Sequence, residues 1–403
     1  MNKKRILIVS QYFYPEQFKI NDIAQAWYKK GFEVTVLTGI PNYPQGKFYP
    51  GYGILKKRTE IYNGIRIIRI PLIPRGHNKI LLIANYYSFV ISGWFWKTFT
   101  NLKTDYVVNF IVSPFTQAKV GAWFAHRRKI PFYVYVQDLW PENVISIVGN
   151  KHKFILKQID HMVDKIYKAS DKVLVTSHSF ANNIKDRGVS SDKIFFFPQY
   201  AESFYKPVET KSNLINADGF LNVTFTGNIG SAQGLQILPH VALYLKKNNE
   251  DVRFNIVGDG REKNNLVKLV KDIGVNKYFN FIPIQKPENI PSILASSDCA
   301  FLSFSADPVF KMTIPAKLQT YLACGMPIIA SAEGETQKII HEAHCGYCVN
   351  LDDALSLYNV IVKFKHDSPE KKAQMAHNSF EYNRINFDKE RLIDYSLSLL
   401  FNS

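Results

Sequence analysis

Runs of apolar residues alternate with helical patterns of apolar and polar residues along the whole chain. Residues Arg5–Ser10 (RILIVS) consist mainly of Ile, Leu and Val, as expected for a strand covered on both faces. Apolar residues at helical spacing follow over Ile20–Trp27, and Glu33–Thr38 (EVTVLT) is the next strand. This order predicts a βαβ unit and therefore a parallel sheet. Further strands are predicted at Ile65–Ile70, Tyr106–Asn109, Phe132–Val136, Val173–Thr176 and Ile194–Phe197.

The second half of the chain repeats this order of elements. Strands are predicted at Leu221–Thr226, Arg253–Val257, Asn280–Ile282, Ala300–Phe304 and Pro327–Ala330. Helices between them are predicted at Leu235–Lys247, Arg261–Ile273, Asn289–Ser296 and Pro315–Ala323. The segment Pro198–Asn222 has Pro, Asn and charged residues but little periodicity, which indicates a domain boundary.

These patterns predict an α/β protein of two Rossmann-like, doubly wound domains, and a length of 403 residues allows two. The first domain is predicted at residues 1–207 and the second at residues 208–384. A C-terminal helix over about residues 385–403 is expected to pack back on the first domain. Doubly wound sheets bind ligands beyond the carboxyl ends of their strands, so the expected site is a cleft between two facing domains.

The two predicted domains differ in charge. The chain has 50 Lys and Arg against 34 Asp and Glu, a formal net charge of +16. Residues Met1–Pro207 hold 30 basic and 13 acidic residues, whereas Val208–Ser403 hold 20 and 21. The excess therefore belongs to the first domain, which predicts an anionic partner for it: nucleic acid, a membrane surface or a charged ligand.

One uncharged segment interrupts the basic first domain. Ile80–Trp96 contains 17 residues without a charged side chain, and Lys79 and Lys97 flank it. It is shorter than the ~20 residues that a membrane-spanning helix needs. The default interpretation is a buried or half-buried helix, and the sharper alternative is a helix in a membrane interface with Trp94 and Trp96 at its end. A true span is the least favoured interpretation.

Cysteine usage and the first residues both favour a cytoplasmic location. The four cysteines all lie after residue 298 and are too few and too clustered for a secreted disulfide framework. The first residues, MNKKRILIVSQYFYP, lack a long apolar region and a small-residue cleavage site, so no signal peptide is predicted.

One cluster of soft ligands is close enough in sequence to suggest zinc. His341, His344, Cys345 and Cys348 have a suitable spacing. A helix end followed by a short strand explains the same residues, because Cys is commonly a small buried apolar residue. No metal site is predicted.

Glycine turns follow two predicted strands of the second domain. Gly227-Asn228 follows the first of them, and Gly258-Asp259-Gly260 follows the second. Such turns place backbone N–H groups and helix starts at the carboxyl ends of the strands, which suits an anion such as a diphosphate. A structural role stays open, because any βα turn can use glycine.

The segment Phe310–Pro327 is the densest in candidate residues. A Pro suits its first helical turn and a Gly its end. Thr313 and Ile314 are predicted to present N–H groups at the helix N-terminus, where phosphate binds well. Lys311 and Lys317 add positive charge nearby. The alternative is a plain amphipathic helix with solvated lysines.

A polar segment follows the predicted strand Phe132–Val136. It contains Asp138, Glu142 and a Trp140 that is expected to be exposed. Polar groups at strand ends usually face the ligand, so these are candidate site residues. In the alternative, Asp138 caps a turn and Trp140 packs.

The order of these motifs resembles glycosyltransferase family 4, the retaining nucleotide-sugar glycosyltransferases with the GT-B fold, over almost the whole chain. The second domain carries Thr226-Gly227-Asn228, Val257-Gly258-Asp259-Gly260-Arg261-Glu262 and Tyr321-Leu322-Ala323-Cys324-Gly325-Met326-Pro327. The first domain carries Tyr12-Phe13-Tyr14-Pro15-Glu16, Pro41-Asn42-Tyr43-Pro44 and Asp138-Leu139-Trp140-Pro141-Glu142. These motifs of the first domain resemble a bacterial subgroup that builds O-antigen, capsule and colanic acid and includes L-fucosamine transferases.

The donor site departs from the pattern of that family. The two glutamates that usually lie eight positions apart fall on Met312 and Thr320. The Arg and Lys that usually clamp the diphosphate fall on Asn228 and Gln233, and the usual His of the first domain falls on Gln137. Lysines 311 and 317 are therefore expected to supply the missing positive charge.

The resemblance implies three sets of site residues. The catalytic set is Asp138, Glu142, Lys317 and Gln137. The donor-binding set is Gly227, Asn228, Gln233, Gly258, Asp259, Arg261, Ile284, Lys286, Lys311, Met312, Thr313, Ile314 and Thr320. The acceptor-binding set is Tyr14, Glu16 and Trp140.

The resemblance also implies a reaction. A sugar such as N-acetyl-fucosamine passes with retention from a UDP-sugar to a lipid-diphosphate-linked saccharide in O-antigen or capsule synthesis. No metal or cofactor is required beyond the donor substrate. The expected partners are the UDP-sugar, an undecaprenyl-diphosphate-linked saccharide and the anionic inner face of the cell membrane, reached through the basic domain and segment 79–97. The expected location is cytoplasmic and peripheral to that membrane.

Other functions stay open. An inactive family member would fit the departures in the donor site, and a sugar-nucleotide epimerase would share the fold. A nucleic-acid-binding protein is favoured by charge alone, since no recognised binding motif accompanies the charge.

Overall fold

The computed structural model describes residues 3–149 and 152–401 and divides the chain into two units. Unit 1 comprises Met1–Phe197 and Ile393–Ser403, and unit 2 comprises Pro198–Leu392. The division lies at the start of the aperiodic segment in which the sequence pattern places a boundary. The prediction of a two-domain α/β protein with parallel sheets is confirmed.

Unit 1 contains an eight-stranded sheet with the order β3-β4-β2-β1-β5-β6-β7-β8. Its strands are β1 (Arg5–Val9), β2 (Glu33–Gly39), β3 (Thr59–Tyr62), β4 (Ile65–Ile70), β5 (Tyr106–Ile111), β6 (Phe132–Val136), β7 (Lys172–Val175) and β8 (Ile194–Phe196). Strand β3 runs antiparallel to β4 at the edge, and the other neighbours are parallel. The sequence pattern does not predict β3, because its four residues (TEIY) have no buried member.

Helices connect these strands. They are α1 (Lys19–Lys29), α2 (Lys79–Phe99), α3 (Ala118–Arg128), α4 (Glu142–Val148), α5 (Lys153–Ala169) and α6 (His178–Asp186). Every residue of β6 is buried, as expected for a central parallel strand covered on both faces.

Unit 2 contains a six-stranded parallel sheet with the order β11-β10-β9-β12-β13-β14. Its strands are β9 (Leu221–Thr226), β10 (Val252–Val257), β11 (Phe279–Ile282), β12 (Cys299–Ser303), β13 (Ile328–Ser331) and β14 (Gly346–Val349). Its helices are α7 (Ile237–Lys247), α8 (Lys263–Ile273), α9 (Ile290–Ala295), α10 (Pro308–Lys311), α11 (Ala316–Ala323), α12 (Glu335–Ala343), α13 (Ala354–His366) and α14 (Pro369–Asn386), and α15 (Lys389–Phe401) follows.

Each sheet has a point at which its strand order reverses. In unit 1 the chain leaves β1 toward β2 and returns to β5 on the other side of β1. In unit 2 it leaves β9 toward β10 and β11 and returns to β12 on the other side of β9. Ligands of such sheets bind at this point, beyond the carboxyl ends of the strands.

The helix predicted over about residues 385–403 is α15, which begins a few residues later, at Lys389. Helix α14 ends at Asn386, and Asp388 begins the next helix because its Oδ1 accepts a 2.8 Å hydrogen bond from the N–H of Arg391. Ser396 of α15 accepts a hydrogen bond from Trp27 Nε1 at 2.9 Å, so α15 packs against α1. Residues 402 and 403 of that prediction lie outside the described residues.

Candidate functional site

Two glycine turns interlock at the carboxyl ends of β9 and β10. The N–H of Gly227 donates to the carbonyl of Val257 at 2.9 Å, and the N–H of Ile229 donates to that of Asp259 at 2.8 Å. A Cβ atom on Gly258 would lie 1.9 Å from the Gly227 carbonyl oxygen, and Gly258 has a φ of +145°. Glycine is therefore required here, and the turns hold a fixed backbone surface at the reversal point of unit 2.

Lys317 lies against the first of these turns. A Cβ atom on Gly227 would come within 2.6 Å of Lys317 Cε, and Lys317 Nζ lies 4.6 Å from the ring centroid of Phe225. Among residues 3–149 and 152–401, no carboxylate forms an ion pair with Lys317. Burial lowers the pKa of its amine to about 8. The structure thus places an uncompensated lysine beside the glycine turn after β9.

Lys311, in contrast, is paired with a carboxylate. Its amine forms an ion pair with Glu333, and this contact lowers the pKa of the Glu333 carboxyl. The loop that holds Glu333 also lies directly against the backbone of Lys311, since a Cβ atom on Gly334 would lie 1.9 Å from the Lys311 carbonyl oxygen. The charge of Lys311 is therefore balanced locally, and Lys317 is the stronger candidate for anion binding.

The helix N-terminus in this segment is later than predicted. Helix α11 begins at Ala316, because Pro315 separates it from α10. The N–H groups of its first turn are those of Ala316 and Lys317, not those of Thr313 and Ile314. The N–H of Thr313 donates instead to the carbonyl of Phe310 at 3.3 Å.

The four donor-site positions that depart from the family pattern have different environments. Met312 and Thr320 are half-buried, and Asn228 is exposed on the first glycine turn. Gln233 Oε1 accepts from the N–H of Gly230 at 3.3 Å, so its amide holds the turn that follows β9.

The second glycine turn carries a lysine that was not among the predicted site residues. Lys263 Nζ donates to the carbonyl of Gly258 at 3.2 Å and lies 4.0 Å from Asp259 Oδ1. The only signal in the sequence is its place near the start of the predicted helix Arg261–Ile273, four residues after Asp259. Arg261 is exposed and forms no ion pair with any described residue.

The loop after β11 lies next to these turns along the sheet. Ile284 is 73% exposed there, and Lys286 is also exposed. The predicted donor residues after β9, β10 and β11 thus share one edge of unit 2, because these three strands are neighbours and parallel.

In unit 1, Asp138 and Trp140 contact the end of β5. Asp138 Oδ2 accepts from the N–H of Ser113 at 2.7 Å, and Trp140 Nε1 donates to Ser113 Oγ at 3.1 Å. Trp140 is only 6% exposed, so the expectation of an exposed tryptophan is wrong. The segment turns inward after β6, where the indole packs and finds its hydrogen-bond partner. Gln137, just before it, is half-buried, and its N–H donates to the carbonyl of Ile111 at 2.9 Å.

Glu142 has a different environment. It begins α4, and its Oε1 accepts from Asn183 Nδ2 on α6 at 2.9 Å. Among the described residues, no hydrogen bond joins it to Asp138. The structure therefore does not bring the two predicted catalytic carboxylates into contact.

Glu16 closes the loop that follows β2. It is 2% exposed, and its Oε1 accepts from the N–H groups of Asn42 and Tyr43, each at 2.7 Å. Burial raises the pKa of this carboxyl to about 7, and the two backbone hydrogen bonds oppose the rise. Tyr14 is also held, since its ring stacks on Tyr62 with 3.6 Å between centroids. Both predicted acceptor residues thus shape the loops at this edge of unit 1.

Tyr12 and Arg75 stand beside this loop and were not predicted. The guanidinium carbon of Arg75 lies 5.3 Å from the ring centroid of Tyr43, and its backbone N–H donates to Asn42 Oδ1 at 2.9 Å. Tyr12 belonged to a recognised motif but carried no assigned role, and Arg75 lies in the connection between β4 and α2, where no pattern marked it.

The His and Cys cluster packs as ordinary structure. Cys345 is buried, and the thiol of Cys348 donates to the carbonyl of Ala332 at 3.3 Å. Burial raises the pKa of the Cys345 thiol to about 11. In the part of the chain that the structure describes, no three His, Cys, Asp or Glu side chains are grouped to hold a metal ion.

Helix α2 has one buried and one exposed apolar face. Its inner face contains Asn85, whose Oδ1 accepts from Gln11 Nε2 at 2.7 Å and whose Nδ2 donates to the carbonyl of Ile73 at 2.7 Å. The exposed apolar side chains are those of Ile80, Leu81, Ile83, Tyr87, Ile91, Trp94, Phe95 and Phe99. Trp96 is half-buried against Phe124. Neither α2 nor another described helix has the length and apolar character to cross a membrane.

Two family profiles match most of the chain. One described as Glycosyltransferase Family 4 matches residues 20–199, and one described as Glycosyl transferases group 1 matches residues 209–382. The chain therefore carries both domains of a family 4 type glycosyltransferase and belongs to that class of enzyme.

Individual relatives are distant but span most of the chain. WcaI of Escherichia coli strain K12, whose name assigns it to colanic acid biosynthesis as a glycosyl transferase, is 24% identical over 326 residues, 76% of this chain and 77% of that protein. Alpha-monoglucosyldiacylglycerol synthase of Acholeplasma laidlawii is 22% identical over 346 residues, 81% of this chain and 78% of that protein.

A solved structure confirms the predicted fold class. HepE of Anabaena, crystallised in complex with UDP and glucose, superposes with a TM-score of 0.69 at 14% identity, over 99% of this chain and 100% of that chain. The fold is therefore GT-B, and the L-fucosamine subgroup stays a prediction.

The buried Glu16 carboxyl predicts a stability that depends on pH. Because its pKa is raised from 4.5 to about 7, the folded chain holds this proton more tightly than the unfolded chain. The contribution is fully present below pH 4.5 and is lost as pH rises through about 7, at up to about 1.4 kcal/mol per pH unit. Urea unfolding at pH 5 and pH 8 should show a smaller loss of stability in Glu16→Gln than in wild type.

The control for this comparison is Glu209→Gln, which removes an exposed carboxyl. Its loss of stability between the two pH values should equal that of wild type. An equal loss in Glu16→Gln would show that Glu16 does not cause the pH dependence.

Proposed function

We propose that this glycosyltransferase moves a sugar, such as N-acetyl-fucosamine, from a UDP-sugar to a lipid-diphosphate-linked saccharide in O-antigen or capsule synthesis. The observation that carries the proposal is the uncompensated Lys317 against the glycine turn at the reversal point of unit 2. The bound UDP and glucose of HepE support a UDP-sugar donor. The colanic acid role in the name of WcaI supports a polysaccharide acceptor.

The proposed chemistry needs stabilisation of a leaving diphosphate. As the bond between the anomeric carbon and the phosphate oxygen breaks, negative charge grows on the diphosphate. Lys317 and the N–H groups at the start of α11 oppose that charge, and their fixed positions avoid reorganisation during the reaction. The acceptor oxygen bonds to the same face of the sugar, and its proton passes to the departing diphosphate. No protein nucleophile and no metal are required.

Unit 1 takes the acceptor in this proposal. Asp138 is held by the Ser113 N–H and is the carboxylate proposed to orient a sugar hydroxyl. Glu142 contacts α6, so its proposed role is to position α4 rather than to touch the sugar.

The direct test combines purified protein with a panel of UDP-sugars, with and without a short-chain lipid-diphosphate-linked saccharide. Retained transfer of one sugar to the acceptor is the expected result. Formation of an epimer without acceptor would identify an epimerase instead. Absence of both binding and turnover across the panel would favour an inactive family member.

The lowered pKa of Lys317 predicts that UDP affinity depends on pH. Above pH 8 the amine of the free protein becomes neutral and loses its attraction for the diphosphate. Calorimetric titration should show UDP binding weaken between pH 7 and pH 9 in wild type. Lys317→Met should weaken binding about tenfold at pH 7 and flatten the profile.

Lys311→Met is the matched control, because its charge is already balanced by Glu333. It should affect UDP binding less than Lys317→Met at pH 7. The reverse order would assign the diphosphate contact to Lys311.

We also propose that unit 1 lies on the inner face of the cell membrane through α2. The exposed face of α2 carries apolar and aromatic side chains, and unit 1 carries the excess basic charge of the chain. Apolar burial in the interface and attraction to anionic lipids act together in such binding. The relative named for synthesis of a glucosyl diacylglycerol, a lipid product, supports this proposal.

Vesicle sedimentation tests the membrane proposal. Wild type should sediment with vesicles that contain phosphatidylglycerol, and less so at high salt. Trp94→Ser with Phe95→Ser should reduce the bound fraction, because both side chains are exposed on α2. Leu243→Ser with Tyr244→Ser removes a similar exposed pair from unit 2 and should have little effect. Equal recovery in the supernatant with and without vesicles would refute the proposal.

A further inference from the structure

A cationic side chain that forms no ion pair with a described carboxylate lies at the carboxyl edge of the unit 1 sheet. Arg75 is half-buried, and its guanidinium lies over the ring of Tyr43 at 5.3 Å. In residues 3–149 and 152–401 no carboxylate forms an ion pair with that guanidinium, and its polar neighbour is the hydroxyl of Tyr12. A guanidinium has five N–H donors, so this one is available to an acceptor from outside the chain.

The hydroxyl of Tyr12 is the second donor at this place. Tyr12 is 1% exposed, and within the described residues no acceptor takes the proton of its hydroxyl; the Arg75 guanidinium beside it can only donate. Burial raises the pKa of this hydroxyl, and the nearby Arg75 guanidinium opposes the rise. The hydroxyl therefore remains protonated at neutral pH and can donate. A buried donor without an acceptor is costly, which points to a ligand that supplies one.

The nearby carboxylates do not fill this role. Glu16 accepts from the N–H groups of Asn42 and Tyr43, and Asp138 accepts from the N–H of Ser113. Each is thus held by backbone donors rather than by Arg75.

The position of Arg75 is fixed by its backbone. Asn42 Oδ1 accepts from the Arg75 N–H at 2.9 Å, and Asn85 Nδ2 donates to the Ile73 carbonyl at 2.7 Å. The connection between β4 and α2 is therefore held to both the β2 loop and the inner face of α2. Such support lets a side chain bind a ligand without first being ordered.

We propose that Tyr12 and Arg75 form an anion subsite in unit 1 that binds a phosphate oxygen of the lipid-linked acceptor. This assignment rests on the proposed function, because it gives the two donors the charged end of that substrate. A guanidinium suits phosphate oxygens through paired N–H donors, and the tyrosine hydroxyl adds a third hydrogen bond. Phosphate bound here fixes the acceptor relative to Asp138 and its loop.

Calorimetric titration with three probes tests the subsite: farnesyl diphosphate, farnesol and inorganic pyrophosphate. Wild type should bind farnesyl diphosphate more tightly than either other probe, because only this one has both the phosphate and the lipid. Arg75→Gln should weaken that binding about tenfold or more, and Tyr12→Phe should weaken it severalfold. Arg75→Lys keeps the charge without the planar group and should fall between wild type and Arg75→Gln.

Two variants are matched controls. Arg66→Gln removes one exposed charge from β4, and Tyr167→Phe removes another buried hydroxyl without a described partner from α5. Both should bind farnesyl diphosphate as wild type does. Equal binding by Arg75→Gln and wild type would overturn the subsite, as would an equal loss in Arg66→Gln. Pyrophosphate binding as tight as that of farnesyl diphosphate would overturn the assignment to a lipid-linked acceptor.

A UDP titration separates this inference from the proposed function. Arg75→Gln should bind UDP as wild type does, because the proposed nucleotide site is in unit 2. If wild type binds no UDP-sugar but its farnesyl diphosphate binding still depends on Arg75, the proposed function fails and the subsite stands. If UDP binds normally and Arg75→Gln does not weaken farnesyl diphosphate binding, the subsite alone fails.

Discussion

The close approach of two backbone turns in unit 2 is the constraint on which the proposed donor site depends. The carbonyl of Gly227 occupies the space in which residue 258 would hold a side chain, so glycine alone allows β9 and β10 to end in contact. The missing side chain of Gly227 leaves room for the stem of Lys317, whose amine is buried. The lysine loses hydration and gains no carboxylate from the part of the chain that the structure describes, a cost that a bound diphosphate would offset.

In unit 1 a carboxylate, rather than a glycine, fixes the backbone of the loop after a strand. The loop after β2 would leave the N–H groups of Asn42 and Tyr43 unpaired, and Glu16 accepts from both. The loop then holds Arg75 through the Asn42 side chain. Glu16 thus fixes the local backbone and does not pair with the Arg75 guanidinium. The two units therefore share a feature: at the carboxyl edge of its sheet, each has a cation that forms no ion pair with a carboxylate of the described residues.

The sequence pattern predicts most of the fold because parallel strands covered on both faces must be continuously apolar. Strands such as Phe132–Val136 and Leu221–Thr226 are correctly bounded for this reason. Strand β3 was not predicted, because it is a partly exposed edge strand. The break between α14 and α15 at Asp388 was not predicted either, because a single capping hydrogen bond determines it.

The candidate site was less predictable than the fold. The sequence predicts that Lys311 and Lys317 supply the positive charge missing from the donor site. Only the structure distinguishes them, because the partner of Lys311, Glu333, is 22 residues away in the chain. Trp140 follows a strand like an exposed ligand-binding residue, yet a hydrogen bond to Ser113 accounts for its burial. Arg75 lies in an irregular connection, where periodicity carries no information. Pairings between distant residues are set by the packed structure rather than by local pattern.

Helix α2 connects the charge distribution with the geometry of unit 1. Its inner face is anchored by Asn85 to the end of β1 and to the connection that holds Arg75, while its outer face exposes apolar side chains. Exposing the apolar outer face of α2 to water is unfavourable. An anionic lipid surface would bury that face and would also attract the basic residues of unit 1. Because the same helix supports the proposed phosphate subsite, membrane contact and acceptor binding would act on one rigid element. A lipid-linked acceptor could then reach Arg75 from the membrane surface without leaving it.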